Sequence, residues 1–370
     1  FIVFLMRKNK MKVCFFIGNL NLSGGTERVA TVIANKLQLS GYSVHILSLQ
    51  CGDKPFFEVM DEIQVSQLFT TEGRGLFRFP ITIFKLRNFL KKNKIDVLID
   101  VESMLSIYAI PAVAFLNLRH ICWEHFNYHV DLGKKSRRMA RKLAAHFADD
   151  VVTLTERDRQ LWLINTKSKV NMIAIPNPVT IELPLESNYH KEKIFLAVGR
   201  LSYQKGFDLL LQAWAHVAHL HPDWRLRIVG DGEEKLKLEK MRQELNIEAS
   251  TELIPNTNRI ALHYQESAFF VMSSRFEGFG LVLVEAQSYG LPIISFDCDF
   301  GPSEIITNHK NGWLCEKEDG YSLGEALSEA SAIFNTDAYF NMSQSAILSS
   351  KRYSLDKVFF CWDKLLNEKR

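Results

Sequence analysis

The sequence predicts an α/β protein built from two doubly wound parallel-sheet lobes with a ligand cleft between them. Three observations predict it. Short apolar runs alternate with helical stretches along the chain, the pattern of parallel sheets covered by helices. The alternation is interrupted once, at AIPNPVTIELPLESNYHKEK (174–193), which has three prolines and no sustained apolar period. At 370 residues the chain is also too long for one ordinary core.

In the first series, MKVCFFIG (11–18) reads as a strand, followed by a Gly24-Gly25 turn and the helix TERVATVIANKLQLSG. SVHILSL (43–49), IDVLIDV (95–101), HICWEH (120–125) and DVVTLT (150–155) read as further strands. The second series opens with IFLAVGR (194–200) and continues through the helix FDLLLQAWAHVAHL and the strands RLRIVG, AFFVMSS (268–274) and PIISFD (292–297). SLDKVFFCWDKLLNEK, near the end, reads as an amphipathic helix. The expected organisation is a first lobe over 11–178, a linker over 179–193 and a second lobe over 194–351. Residues 352–370 would cross back to the first lobe.

Composition excludes several classes. The net charge of +3 argues against a dedicated nucleic-acid binder. Six cysteines without CxxC pairs point to reduced thiols in a cytosolic protein rather than disulfides or zinc. No apolar run approaches the ~18–20 residues of a spanning helix. FIVFLMRKNK lacks the length and cleavage site of a signal peptide and reads as an upstream extension, with Met6 or Met11 the start. The cations are unevenly spread: Arg74, Arg78, Lys85, Arg87, Lys91, Lys92 and Lys94 occupy 74–94 with no acid among them. Lys134, Lys135, Arg137, Arg138, Arg141 and Lys142 crowd 134–142.

The chemistry-bearing stretches lie where strands end. RFEGFGLVLVE (275–285) puts Glu277 in the loop after a strand and Glu285 on the first turns of the next helix. In an open α/β sheet that is where ligands bind, and carboxylates there accept hydrogen bonds from paired hydroxyls. VGRLSYQKGFD (198–208) places Arg200 and Lys205 beside a helix N-terminus, a site for a diphosphate or simply two solvated cations. SGGTER (23–28) opens a helix with Gly24 and Gly25, which admit a phosphate or only make a turn. WEHFN (123–127) offers His125, with Glu124 and Asn127 alongside, as a hydroxyl partner, an acid/base or a structural histidine. Gly230 and Gly232 in VGDGEEKLKLEK, and Gly301 in DCDFGPSE (297–304), mark further strand-end turns.

Together, Arg200, Lys205 and the E-G-F-G-x4-E of Glu277 to Glu285 resemble the retaining glycosyltransferases of family 4, which have the GT-B fold of two Rossmann-like lobes. The resemblance runs from SGGTER to the GPSEII segment and is closest to bacterial enzymes of capsule, O-antigen and exopolysaccharide synthesis, the amylovoran type included.

The resemblance implies that the first lobe binds the acceptor and the second a nucleotide-sugar. Arg200 and Lys205 would neutralise the diphosphate without metal or cofactor, and Gly24 and Gly25 would close over it. Glu285 would hold the ribose, and Glu277, Gly278, Phe279 and Gly280 would contact the transferred sugar. His125 and Glu277 would be the catalytic residues, His125 near the reacting carbon as a positioning group rather than a full nucleophile. The donor base would be uridine on family habit, although LIPNTNRI (253–260) departs from the glycine-containing turn of many relatives. A front-face path, with the donor phosphate as base, needs no protein nucleophile. A retaining glycosidase also uses two carboxylates, but has no diphosphate for the Arg/Lys pair to neutralise. The acceptor would be a saccharide or an undecaprenyl-diphosphate-linked oligosaccharide. LFRFPITIFKLRNFLKKNK, with Phe77, Phe79, Phe84 and Phe89, resembles an interfacial helix, and Lys134, Lys135, Arg137, Arg138 and Arg141 would meet lipid pyrophosphate or anionic headgroups at the cytoplasmic leaflet. The competing expectation is a nucleotide-sugar-binding subunit that has lost catalysis.

Overall fold

The computed structural model describes residues 10–368 apart from Arg74, Leu132, Lys169 and residues 182–190. Met6 and the middle of the expected linker therefore lie outside the described residues, as do Arg74 and the side chain of Phe77. The chain divides into two compact units, residues 1–177 with 355–370, and residues 178–354.

The first unit is a seven-stranded parallel sheet: β1 (Lys12–Ile17), β2 (Ser43–Gln50), β3 (Gln64–Phe69), β4 (Val97–Val101), β5 (Arg119–Trp123), β6 (Asp150–Thr153) and β7 (Asn171–Ala174), in the order 3-2-1-4-5-6-7. β1 and β4 are buried nearly throughout, as expected for strands covered on both faces. The strand order reverses between β1 and β4. The loops after β1 and β4 thus flank a topological switch point, where crevices form at the carboxyl ends of the strands. The closing helix Leu355–Asn367 packs into this same unit: Trp362 is fully buried with its ring 4.8 Å from that of Trp123, and Tyr42 Oη donates to Asp363.

The second unit is a six-stranded parallel sheet of β8 (Glu192–Val198), β9 (Arg225–Val229), β10 (Thr251–Ile254), β11 (Ser267–Met272), β12 (Ile293–Phe296) and β13 (Gly312–Cys315), in the order 10-9-8-11-12-13. Its switch point falls between β8 and β11. An aromatic cluster fills its core, with Phe195 stacked on Trp224 at 4.6 Å and on Phe269 at 5.4 Å.

Four strands that the apolar runs do not reveal are β3, β7, β10 and β13, and each is a sheet edge. An edge strand has one neighbour and one side open to polar residues, so QVSQLF or TELI lacks a continuous apolar run. Strand ends also fall earlier than expected. β5 stops at Trp123 and β8 at Val198, which leaves Glu124, His125 and Arg200 in loops.

Candidate active site

In the second unit, the loops after β8 and β11 carry the sequence's strongest candidates, and they meet. Lys205 Nζ lies 2.5 Å from Glu277 Oε1, which also accepts from Ser274 Oγ at 2.7 Å. Both side chains are largely buried. The loops approach so closely that a Cβ on Gly206, at φ +61°, would meet Ser273 O at 2.1 Å. The turn of Gly301, at φ +99°, packs in the same way on the backbone of Phe279, so it supports the Glu277 loop from behind.

Glu285 sits on the helix Leu281–Ser288 and is 2% exposed. Its Oε1 accepts from Thr180 Oγ1 at 2.8 Å and its Oε2 from Tyr264 Oη at 3.2 Å. These two bonds hold the orientation of the carboxylate.

Arg200 points to the surface: its side chain is 73% exposed and pairs with Glu233 at 3.1 Å. Phe279 is buried with its ring 5.5 Å from that of Tyr353, so only backbone of the Gly278-Phe279-Gly280 turn is available to a sugar. A surface ion pair sets the first and packing the second, and local sequence spacing encodes neither.

In the first unit, Gly24 is the N-cap and Gly25 the first residue of the helix Gly25–Leu39, with no side chain capping it. Glu27 lies in that first turn, and burial raises its carboxyl pKa. Across the switch point, Glu102 follows β4 at φ +101°, a strained conformation for a non-glycine residue. Burial, opposed by the Arg137 guanidinium 2.7 Å away, raises its carboxyl to about 7.

His125 is 8% exposed, and burial lowers its pKa to about 4, so the ring is neutral near pH 7. Its Nε2 is buried without a hydrogen-bond partner among the described residues. Glu124 beside it is an anchor. It accepts from Ser103 Oγ at 2.5 Å, from the amides of His125 and Phe126 at 3.0 Å each, and from Arg141 Nε at 2.9 Å. Arg141 then donates to the carbonyls of Tyr128 and Val130. Each of the three guanidinium nitrogens thus has a partner, the condition for a buried ion pair to be tolerated. Asn127 accepts from the amides of His129 and Val130 and closes the turn.

The basic segment 134–142 is therefore split, and this corrects the expectation that all its cations face a membrane. In the helix Lys135–Phe147 the inner face is Arg137, Ala140, Arg141, Ala144 and Ala145. Arg137 pairs with Glu102 and lies over the Phe126 ring at 4.3 Å, and Arg141 is 1% exposed. Lys134, Lys135, Arg138 and Lys142 stay on the surface with Met139 and Phe147, although Arg138 also pairs with Asp131. In the helix Gly75–Asn93, Arg78, Lys85 and Arg87 donate to backbone carbonyls, while Lys91 and Lys92 are exposed and Phe84 is 66% exposed. Among the described residues no helix is long and apolar enough to cross a membrane.

Local reading missed Glu102, Glu27, Arg275, Thr180 and Tyr264. The i,i+4 spacing of Arg137 and Arg141, in register with Ala140, Ala144 and Ala145, is a usable signal for an inward face; the others are partners brought in by the fold.

Two parallel α/β lobes with a cation–carboxylate pair and a buried carboxylate at a switch point define a class, the GT-B glycosyltransferases. The sequence matches the profile of glycosyltransferase family 4 over residues 23–183 and that of glycosyl transferases group 1 over 184–341. An uncharacterized glycosyltransferase of Haemophilus influenzae is 35% identical over 355 residues, 96% of this chain and 99% of its own. The amylovoran biosynthesis glycosyltransferase AmsD of Erwinia amylovora is 30% identical over 96% of this chain and 99% of its own. A Campylobacter jejuni alpha-1,4-N-acetyl-D-galactosaminyltransferase, named for a PP-undecaprenol-linked acceptor, is 28% identical over 97% and 99%. The crystal structure of a Staphylococcus aureus TarM mutant, with fondaparinux, alpha-GlcNAc-glycerol and UDP, superposes with a TM-score of 0.80 at 16% identity, covering 97% of this chain and 100% of that one. The chain belongs to the group 1, family 4 glycosyltransferases.

Proposed function

We propose that this protein is a retaining, metal-independent glycosyltransferase of surface polysaccharide synthesis. It moves a hexose or N-acetylhexosamine from a nucleoside-diphosphate sugar, with UDP as the nucleotide, to a saccharide or an undecaprenyl-diphosphate-linked oligosaccharide. The observation that carries the reading is the Lys205–Glu277 pair at the switch point of the second sheet. A cation there attracts the diphosphate, and the adjacent carboxylate accepts hydrogen bonds from the sugar hydroxyls. Glu285 takes the ribose hydroxyls, held in orientation by Thr180 and Tyr264.

In this reading Lys205, joined by Arg200 when its side chain swings in from the surface, stabilises charge developing on the leaving diphosphate. The donor phosphate takes the acceptor proton, so neither Glu277 nor His125 attacks carbon. His125, neutral at pH 7, is a hydrogen-bonding and positioning group rather than a cationic acid. The UDP in the TarM crystal structure and the lipid-linked acceptor for which the Campylobacter enzyme is named support the donor and acceptor classes. The exposed cations of the helix Lys135–Phe147, with Met139 and Phe147, support peripheral attachment to an anionic membrane surface.

The test is mass spectrometry of products, with the anomeric configuration read by proton NMR, after purified protein is incubated with single nucleotide sugars and undecaprenyl-diphosphate-linked acceptors, with and without EDTA. Transfer of one sugar with retained anomeric configuration, unaffected by EDTA, is expected. Absence of both transfer and donor hydrolysis with every nucleotide sugar would sink the reading in favour of a binding subunit.

A further inference from the structure

Lys205 and Glu277 reach one another from loops that leave different strands, and neither loop is regular over its whole length. We infer that Arg275 is the positioning residue that welds these two loops into one donor-binding unit. This rests on the donor-site reading above.

Arg275 is 8% exposed, yet its guanidinium is engaged on several sides. Nη1 donates to Tyr203 O and to Asp208 Oδ1, both at 2.9 Å, and Nη2 donates to Asp208 Oδ2 at 2.8 Å. The guanidinium carbon lies over the Tyr203 ring, 4.1 Å from its centroid, and Nε is 3.3 Å from Glu318. Tyr203 and Asp208 bracket Lys205, so the planar fork grips the Lys205 loop at both ends. A two-bond fork fixes angle as well as distance, which a point charge does not. Asp208 reflects the grip. Burial pushes its carboxyl pKa up, but the hydrogen bonds and charge of Arg275, with the charge of Lys237 and the Leu209 amide, outweigh this and leave it lowered.

The backbone joins the same seam. Arg275 N donates to Gln204 O at 2.8 Å, Gln204 Nε2 to Phe276 O at 3.1 Å, and Ser273 Oγ to Lys205 O at 3.0 Å. Arg275 thus stands two residues before Glu277 and holds Tyr203 and Gln204 before Lys205 and Asp208 after it, without itself needing to touch a ligand. A binding group must be held within about 0.5 Å of its productive position, and Arg275 is the side chain that fixes one loop against the other.

The experiment is calorimetric binding of UDP, with GDP as a second probe, to the full chain and to Lys205→Ala, Arg275→Ala, Arg275→Lys, Asp208→Asn and the Lys205→Ala/Arg275→Ala double variant. Folding is checked by thermal unfolding. Arg275→Ala is expected to weaken UDP binding roughly tenfold, and Arg275→Lys to stay within about threefold of Arg275→Ala because lysine lacks the fork. In the Lys205→Ala background the same change is expected to add less than about twofold, since it acts through Lys205. Unchanged UDP affinity in folded Arg275→Ala, or full additivity with Lys205→Ala, would overturn the inference. If Arg275→Ala does not fold, Asp208→Asn decides in the same way, a normal affinity counting against the weld. Failure of the underlying reading looks different: wild type would bind neither nucleotide, or Lys205→Ala would bind as well as wild type.

Discussion

Lys205 Nζ and Glu277 Oε1 stand 2.5 Å apart, so the proposed diphosphate cation and the proposed sugar carboxylate neutralise each other. A donor must therefore share or open this pair. UDP alone supplies phosphate charge for Lys205 but no sugar hydroxyls for Glu277. Glu277→Gln frees Lys205 and is expected to leave UDP affinity equal to or tighter than wild type while lowering transfer at least about a hundredfold. Lys205→Ala is expected to lose both, with binding weaker by about tenfold or more, as for loss of a charge-assisted contact. Calorimetry with UDP beside initial-rate transfer assays separates the two. UDP binding weakened equally by both substitutions would contradict this division of roles.

Glu285 has a structural role beside its proposed ribose contact. Removing its carboxylate strips the acceptor from the hydroxyls of Thr180 and Tyr264, and an unsatisfied buried donor costs about 1–3 kcal/mol. Glu285→Ala is expected to abolish transfer and lower the unfolding free energy by that order. Glu285→Gln, which keeps an acceptor and the shape, is expected to restore most stability but not UDP affinity. Denaturant unfolding and UDP titration of both variants check this, and a normal UDP affinity in Glu285→Gln would remove the ribose role.

How much of this was legible in the sequence follows from what fixes each part. Central strands such as β1 and β11 are buried on both faces and show as apolar runs, so the lobes and their loops could be placed from spacing alone. Lys205, Glu277 and Glu285 are legible because strand–loop–helix order puts them at strand ends. The orientation of Arg200 does not follow from the same rule, since its rotamer follows a surface partner, Glu233, 33 positions away. Arg141 and Arg137 were misread because a run of cations looks solvated until its helical face is known. Glu102 was invisible: nothing local marks a carboxylate that burial and a left-handed backbone set at the sheet's switch point.

His125 makes stability pH-dependent with a definite sign. Its folded pKa, about 4, lies below the ordinary 6.5 because burial disfavours the imidazolium. Between these values the unfolded chain binds the extra proton, so stability is full above about pH 6.5 and falls as pH drops through 4. The contribution is at most about 3 kcal/mol. His125→Phe is expected to flatten the acid side of the stability curve, and the His125 ring resonances are expected not to titrate between pH 5 and 8. A midpoint near 6.5 would show the ring to be solvated.

Glu102 has the opposite sign. Its folded pKa of about 7 lies above the ordinary 4.5, so between these values the folded state holds more protons and stability falls as pH rises. Glu102→Gln keeps an acceptor for Arg137 without the charge. It is expected to be more stable than wild type at pH 8 by about 1–3 kcal/mol, with the gain vanishing near pH 4. Unfolding midpoints compared at the two pH values measure it. A pH-independent difference would mean the carboxylate is already ionised through this range.

The split of the 134–142 cations gives the membrane proposal a sharp control. Lys134, Lys135, Arg138 and Lys142 are exposed, whereas Arg141 is locked to Glu124 and two carbonyls. Changing the four exposed cations to Glu is expected to abolish flotation with vesicles rich in phosphatidylglycerol while leaving the unfolding midpoint near wild type. Each surface cation contributes about 1 kcal/mol to attraction by an anionic leaflet, so four together approach a thousandfold in partitioning. Arg141→Ala is expected to do the reverse: the buried Glu124 loses its counter-charge, at a cost of about 3–5 kcal/mol in stability, and the surface that would meet lipid is untouched. Equal flotation of wild type and the fourfold variant would remove the membrane surface from the proposed partners and leave this helix with only its inward role, anchoring the His125 loop.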